Sequence, residues 1–372
     1  MTPDPDLQQR SAAFAIPGDI NTVTGGYIYE RRLLEELRAL GHDVVHIQLG
    51  GSFPDPTPED MTHALDALVA LPEERTLILD GLVYGSIDTA GLAQVRAPII
   101  AMIHHPLALE TGLAAARRNH LFKTERDNLA LARQVLVPSQ HTEHILTTQY
   151  AVPTERITIA QPGKMERTAQ PLTADRKHLP EDTPLILSVG IQHPRKGHDV
   201  LLRALAKLKH LPWRAVIVGS AHDPDHAQDL AGLVEQLGLK DRVELAGRIE
   251  QNRLDGLFAQ ASVFALATRY EGYGMVFDEA LAWGLPIVSC TTGAVPDTVP
   301  RDSGTLVAPD DATAFAEALR HILTDDVTRT QMANASKRAG EALPTWQQTA
   351  QTAGRVLNSL DASASLTSEP TR

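Results

Sequence analysis

The segment EGYGMVFDE holds two carboxylates, Glu271 and Glu279, with seven residues between them. It follows the apolar run SVFAL and precedes the helical pattern DEALAWGLP, so we expect it at the carboxyl end of a strand, where a helix begins. Ligands of α/β sheets bind at such ends, and free N–H groups there suit an anionic or hydroxyl-rich ligand. Gly272 and Gly274 let the main chain approach that ligand. Glu279 can accept from the paired hydroxyls of a ribose, although two glutamates at arbitrary spacing are usually solvated surface residues.

A basic turn is the second candidate for a functional site. In VGIQHPRKGHDVLL, Arg195 and Lys196 lie between a strand and an amphipathic helix, and Gly190 is the first glycine of the turn. A lysine point charge and a bidentate arginine can together neutralise a departing diphosphate, so these residues and Gly190 are predicted to bind it. An exposed basic helix start is the alternative.

A glycine pair follows the first strand. In DINTVTGGYIYERRLLEEL, Thr24, Gly25 and Gly26 form a loop before a helix, an arrangement that suits a phosphate group. The GxGxxG fingerprint of dinucleotide sites is absent. A tight strand-to-helix turn is the alternative.

Two histidines follow another strand. In MIHHPLALE, His104 and His105 come after the apolar run PIIAMI. A neutral imidazole both donates and accepts, so one histidine can bind a donor-sugar hydroxyl or serve the acceptor. The other histidine is interpreted as an ordinary capped residue of the loop.

The elements that must position these residues alternate regularly along the chain. Runs that are apolar on both faces and separated by helical patterns predict parallel strands covered on two sides, and therefore an α/β fold. Two alternations of six strands each predict two Rossmann-like, doubly wound domains facing a cleft, over residues 1–165 and 166–343. The runs are AAFAI (12–16), VVHI (44–47), TLIL (76–79), PIIAMI (98–103), QVLV (134–137), RITI (156–159), PLILSV (184–189), RAVIV (214–218), RVEL (242–245), SVFAL (262–266), PIVS (286–289) and GTLV (304–307).

A last helix is predicted over 344–360, after the break at Pro344. Its apolar residues recur at spacings of four and three, which gives one apolar face that can pack away from the preceding sheet. They are Trp346, Ala350, Ala353, Leu357 and Leu360. The small, polar tail 361–372 is predicted to be disordered.

Bulk properties narrow the functional classes. A net charge of -12 over 372 residues argues against nucleic acid as a partner. The single cysteine, Cys290, excludes an internal disulfide and a thiolate metal cluster. Asp223 and Asp225 resemble a metal-binding pair, but the turn that holds them favours solvated aspartates, so no metal site is predicted. With neither a signal peptide nor a long apolar run, we expect a cytoplasmic protein.

One helical stretch has a composition that also suits contact with a membrane surface. GLAAARRNHLFKTERDNLALARQ mixes basic and apolar side chains, as a helix resting on a membrane surface does. An ordinary solvated face beside Glu125 and Asp127 is favoured by composition. Peripheral contact at the inner membrane face, with a lipid acceptor, therefore remains an open alternative.

On these motifs nearly the whole chain resembles glycosyltransferase family 4, whose members are retaining transferases of the GT-B fold. The resemblance implies transfer of a hexose from a nucleotide-diphosphate sugar, UDP- or GDP-linked, to a hydroxyl acceptor on a glycan, a glycolipid or a small molecule, with no metal or further cofactor. It also implies that Glu271 faces the donor sugar and Glu279 binds the ribose. The amides of Gly272, Tyr273 and Gly274 resemble those that contact sugar hydroxyls.

Further roles come from the same resemblance. Family members carry a lysine where Lys196 stands, and many carry an arginine where this chain has Ile191, so whether Arg195 replaces that contact stays open. The glycine pair is expected against the donor phosphates, and His104, rather than His105, near the C6 hydroxyl of the sugar. Main-chain contacts to the donor are expected near Arg248 and Ile249. The last helix is expected to return to the first domain.

The resemblance also implies a mechanism without an enzymatic nucleophile. The leaving phosphate oxygen accepts the proton of the acceptor hydroxyl on the same face of the sugar, while Lys196, Arg195 and the amides of the glycine pair stabilise the diphosphate. Two other classes stay open: a sugar-nucleotide epimerase of the same architecture, and a non-catalytic nucleotide-sugar-binding protein.

Overall fold

The computed structural model describes residues 10–110, 112–165 and 183–365. The chain divides into a first unit, Met1–Gly163 with Pro344–Arg372, and a second unit, Lys164–Leu343. Each unit is built on one six-stranded sheet whose paired strands are all parallel. The predicted α/β class and the doubly wound, GT-B type of fold are confirmed.

Each of the twelve predicted apolar runs forms a strand. In the first unit they are β1 Ser11–Pro17, β2 Asp43–Leu49, β3 Thr76–Asp80, β4 Ile99–Met102, β5 Gln134–Val137 and β6 Ile157–Ile159. In the second unit they are β7 Leu185–Val189, β8 Arg214–Val218, β9 Val243–Gly247, β10 Val263–Ala265, β11 Ile287–Cys290 and β12 Gly304–Val307.

Helices connect the strands and cover both faces of each sheet. The first unit has α1 Gly25–Ala39, α2 Pro58–Val69, α3 Gly81–Tyr84, α4 Thr89–Leu92, α5 Ala115–Leu129, α6 Gln140–Gln149 and α14 Trp346–Ser365. The second unit has α7 His198–Lys207, α8 Pro224–Gln236, α9 Gln251–Gln260, α10 Met275–Ala282, α11 Val295–Thr298, α12 Ala312–Thr324 and α13 Asp326–Ala342.

The strand orders locate the switch points where ligands of doubly wound sheets bind. The second sheet runs β12-β11-β10-β7-β8-β9, so its connections reverse direction between β7 and β10. The first sheet runs β2-β1-β3-β4-β5-β6, with the reversal between β1 and β3. The carboxyl ends of β1, β3, β7 and β10 are therefore the places where each unit can hold a ligand.

The apolar patterns explain the cores. From Ala12 to Ile16 the side chains of β1 are fully buried, because helices cover the sheet on both sides. In α1, Leu33, Leu34 and Leu37 turn inward, as the helical spacing requires. Trp213 and Phe264 are among the largest fully buried side chains of the second unit.

The last helix belongs to the first unit. The Trp346 ring lies edge-on to Tyr29 of α1, with centroids 5.5 Å apart. The Thr349 hydroxyl donates to the carbonyl of Gln161 at 2.6 Å. A side chain at Gly163 would place its Cβ 2.3 Å from the Trp346 backbone nitrogen, so the chain passes very close to the start of the helix.

One boundary expectation was wrong. The helix α14 continues to Ser365, although residues from 361 onward were expected to be disordered. The segment DASAS contains neither glycine nor proline, and alanine favours a helix that has already begun. The rest of that tail, residues 366–372, lies outside the described residues.

Asp223, one of the two aspartates that resemble a metal-binding pair, has a structural role in the fold. The Asp223 carboxylate accepts from the backbone N–H groups of Asp225 and His226, so it caps α8. Within the described ranges, no helix combines the length and the apolar character that crossing a bilayer requires.

Candidate functional site

Three charged side chains meet at the switch point of the second sheet. Arg195 and Lys196 lie in the short 3₁₀ turn after β7, and Glu271 follows β10, the neighbouring strand. The Lys196 ammonium lies 2.7 Å from Oε1 of Glu271, and a guanidinium nitrogen of Arg195 lies 3.8 Å from Oε2. Two cations surround one carboxylate, so the cluster carries a net positive charge that an anionic ligand can neutralise.

Glu271 is held as an ionised group in a buried position. The residue is only 4% exposed, and the Thr268 hydroxyl donates to its Oε1 at 3.0 Å. Burial alone would raise the pKa of this carboxyl, but the charges of Lys196 and Arg195 hold it below its ordinary value. Arg195 also donates to the carbonyl of Tyr270 at 3.3 Å. The two cations are therefore fixed by the same carboxylate and the adjacent main chain.

Two glycines make this arrangement sterically feasible. Gly197 has φ +62, and a Cβ there would lie 1.9 Å from the carbonyl oxygen of Ala267. Gly274 has φ +90 and is the residue immediately before α10. Both positions are left-handed, a conformation that favours glycine. The turn carrying Lys196 and the start of α10 thus depend on these residues.

The other predicted donor residues lie around this centre. Gly190 faces the Lys196 side chain, since a Cβ there would lie 3.2 Å from Cδ of the lysine. Gly272 and Tyr273 are buried in the short connection between Glu271 and α10. Arg248 and Ile249 follow β9, which β8 separates from β7, so they lie further along the strand ends.

Glu279 lies on α10 and is partly buried. Burial, assisted by the charge of Asp255, raises the pKa of its carboxyl to about 7. A carboxyl group in this state gains from hydroxyl groups that donate to it, because such bonds favour the ionised form. The position is compatible with the predicted binding of a ribose.

The glycine pair departs from the expected loop. The helix α1 already begins at Gly25, so both glycines belong to its first turn, and the Thr24 side chain makes no capping bond. Glycine costs little at a helix start, which explains why the helix extends this far. A Cβ on Gly26 would lie 3.6 Å from the His104 ring, so the glycine pair and this histidine are neighbours.

The structure separates the two histidines. His105 Nε2 pairs with the Glu110 carboxylate at 2.5 Å in the same loop. His104 instead lies beside α1, and its Nε2 is 3.4 Å from Oε1 of Glu30. Of the two, only His104 is therefore placed at the switch point of the first sheet.

Sequence reasoning missed the partners of His104. Carboxylate oxygens of Glu30 and Asp80 and an imidazole nitrogen of His104 lie within 4.8 Å of one another. Both acids are almost fully buried. Glu30 occupies the inward face of α1 three residues before Leu33, and Asp80 ends β3. A charged residue on an apolar helix face was the available signal.

The strand order of both sheets and the charged cluster at a switch point define a protein with two Rossmann-like domains, each offering a ligand site at its strand ends. Residues 171–339 match the family model of glycosyl transferases group 1. The second unit is therefore similar to the group 1 glycosyl transferases, in agreement with the predicted resemblance.

One curated relative and two solved structures show what this chain is similar to. A D-inositol 3-phosphate glycosyltransferase of Xylanimonas cellulosilytica is 33% identical over 239 residues, which cover 60% of this chain and 56% of that protein. Sucrose-phosphate synthase from Thermosynechococcus elongatus shares the fold, with a TM-score of 0.81 at 23% identity, over 95% of this chain and 100% of that chain. Anabaena HepE, solved with UDP and glucose, has a TM-score of 0.76 at 16% identity, over 94% and 100%.

The extent of these matches is uneven. The chain spans about half the length of the first curated relatives it matches, 56% of one and 49% of the next three. The two solved structures are covered almost completely, but at their low identities they show the fold alone.

Proposed function

We propose that this chain is a retaining hexosyltransferase that uses a nucleotide-diphosphate sugar, UDP- or GDP-linked, and passes the hexose to a hydroxyl acceptor. The observation that carries this proposal is the cluster of Arg195, Lys196 and Glu271 at the switch point of the second sheet. Its net positive charge, fixed in a partly buried turn, suits the diphosphate of such a donor. The match of residues 171–339 to the group 1 family model and the names of the relatives support the same class.

The cluster accounts for the leaving-group chemistry. As the bond between the anomeric carbon and the phosphate oxygen breaks, the diphosphate gains negative charge, which Lys196 and Arg195 stabilise. The acceptor oxygen forms the new bond to the anomeric carbon on the same face. Its proton passes to the departing phosphate oxygen, so no base from the protein is required.

The two carboxyl groups have different roles. Glu271 orients the two cations through its hydrogen bond to Lys196, and Glu279 accepts from the ribose hydroxyls. Since the cations supply the positive charge, the proposed transfer requires no metal ion. A glycan, a small molecule or a membrane lipid can provide the acceptor hydroxyl, and the last of these would require peripheral contact with a membrane.

Release of nucleotide from a panel of UDP- and GDP-hexoses tests the proposal. We expect release to depend on a hydroxylic acceptor, and Lys196→Ala to lower kcat/KM by about 100-fold or more, as expected for removal of an electrostatic stabiliser. Lys240→Ala, in which an exposed lysine of the same unit loses its ion pair with Glu235, is the matched control.

Two results would contradict this assignment. Nucleotide release that does not need an acceptor, together with a changed sugar, would identify an epimerase. Tight donor binding without any turnover across a broad acceptor panel would identify a binding protein. Circular dichroism of each variant separates loss of folding from loss of activity.

A further inference from the structure

Two carboxyl groups and an imidazole meet at the switch point of the first sheet. Glu30 comes from α1, Asp80 ends β3 and His104 follows β4. The two acids are 1% and 4% exposed, whereas 22% of the His104 side chain remains exposed. A bound substrate can therefore touch the imidazole, while the acids act only from behind it.

The hydrogen bonds give these groups an order. The backbone N–H of Leu82 donates to Oδ1 of Asp80 at 2.8 Å. Asp80 is also hydrogen-bonded to Glu30, whose Oε1 lies 3.4 Å from Nε2 of His104. The three side chains thus form a chain in which Glu30 is central and contacts both of the others.

Charge decides where the protons lie. Two ionised carboxylates in contact, both almost fully buried, repel each other, so one of them must hold a proton. Among the described residues, the basic group within ion-pair distance of Glu30 is His104. Burial and the charge of Glu30 raise the pKa of Asp80 well above its ordinary value, while burial raises the pKa of Glu30 to about 7. The proton therefore belongs on Asp80, which donates it to Glu30.

The surrounding ionisable groups leave this arrangement intact. The Tyr29 ring lies edge-on to His104 with centroids 5.1 Å apart, and its hydroxyl donates to the carbonyl of Ala160. The Tyr27 hydroxyl donates to the carbonyl of Pro17, and its pKa is raised to about 12 by burial and by Asp80, Glu30 and Asp19. Both tyrosines therefore stay neutral. Burial lowers the pKa of His104, so its imidazole is neutral as well.

We propose that Asp80 and Glu30 are positioning residues that act through His104: protonated Asp80 donates to the Glu30 carboxylate, which accepts from Nε2–H of His104 and leaves Nδ1 as a hydrogen-bond acceptor for a substrate hydroxyl. This inference rests on the proposed function, because it assigns the imidazole to hydroxyl recognition. It goes further by fixing the tautomer, and so the direction of the hydrogen bond that the sugar or acceptor must make. A hydroxyl can donate to Nδ1, whereas an ether oxygen in its place cannot.

Imidazole ¹⁵N NMR tests the tautomer without any substrate. The His104 signals are assigned by their loss in His104→Gln, and we expect a proton on Nε2 and a bare Nδ1 in the wild type. Asp80→Asn is the matched conservative variant, because its amide can still donate to Glu30 and its oxygen can still accept from the Leu82 N–H. We expect it to keep the His104 tautomer, with a proton on Nε2 and none on Nδ1.

Glu30→Gln removes the carboxylate and is expected to behave differently. The His104 signals should lose the Nε2–H pattern, and kcat/KM should fall by about 10- to 100-fold, the range for a hydrogen bond to a charged group. Methylation of the substrate hydroxyl that binds Nδ1 should lower kcat/KM of the wild type by the same factor. It should cause no further decrease in Glu30→Gln.

Three outcomes would overturn the proposal. One is a wild-type imidazole protonated on Nδ1, which can be read even if Glu30→Gln does not fold. Another is loss of the tautomer in Asp80→Asn but not in Glu30→Gln, since that would place the proton on the wrong acid. The third is a stoichiometric divalent metal in the purified protein that both variants lose, because a cation would then replace the shared proton. If the tautomers are as expected but no transferase activity is found, the result contradicts the proposed function and leaves the assigned tautomer standing.

Discussion

Replacing Glu125 by glutamine should stabilise the protein at high pH and leave it nearly unchanged at low pH. Glu125 lies on α5, is fully buried, and its Oε2 accepts from the backbone N–H of Leu107 at 3.1 Å. Burial raises the pKa of this carboxyl to about 8, although hydrogen bonds from Tyr150 and Leu107 oppose the shift. Glutamine keeps an acceptor for the Leu107 N–H without the ionisable proton.

The sign and size follow from proton linkage. An exposed glutamate in the unfolded chain titrates near its ordinary value of 4.5, so between this value and about 8 the folded protein holds a proton that the unfolded chain has lost. The free energy of unfolding therefore falls as pH rises through this window. At a pH above both pKa values, the difference between them lowers the free energy of unfolding by at most about 5 kcal/mol, and local relaxation of the structure reduces this amount. Glu125→Gln is free of this loss.

Urea unfolding followed by circular dichroism at pH 5, 7 and 9 measures the effect. The stability of Glu125→Gln relative to the wild type should increase steadily from pH 5 to pH 9. Glu74→Gln, at an exposed position of the same unit, is the control and should show a flat difference. A flat difference for Glu125→Gln as well, or an advantage that grows towards acid, would refute the reasoning.

Three further predictions concern the second unit. Gly197→Ala should lower the free energy of unfolding by at least about 1–2 kcal/mol, because the left-handed φ alone costs this much before the contact with Ala267 is counted; an unchanged thermal midpoint would be inconsistent with the turn described. Glu279→Ala should weaken binding of the nucleotide sugar by about 1–3 kcal/mol in calorimetry, and equal affinity in a folded variant would exclude its ribose contact. Transfer should survive EDTA, since Lys196 and Arg195 supply the charge, and a complete loss restored by magnesium would show that a metal is required.

Much of the fold could be predicted because local chemistry determines it. Runs such as TLIL and RAVIV are apolar on both faces, and only strands covered on two sides bury them fully. The apolar face of the last helix likewise required a partner, which the first unit provides in Tyr29. The order of the strands was beyond such reasoning, because it depends on packing between segments distant in sequence.

The candidate site was predictable in part for the same reason. Glu271 and Lys196 could be proposed from their own motifs, but their 2.7 Å contact depends on β7 and β10 being neighbours, since the two residues are 75 positions apart in the sequence. Glu30 escaped notice because its significance comes from Asp80, which is distant in sequence and adjacent only in the folded sheet. No local pattern encodes such a pair.

The anomeric configuration of the first product tests the central claim most directly. An NMR time course would follow an α-linked UDP- or GDP-hexose with an acceptor that supports nucleotide release. The account predicts that an α-configured glycoside forms in step with free nucleotide, and that Lys196→Ala slows the growth of both signals by about 100-fold or more while Lys240→Ala retains them. A β-configured glycoside, or a changed free sugar with no glycoside at all, would contradict it.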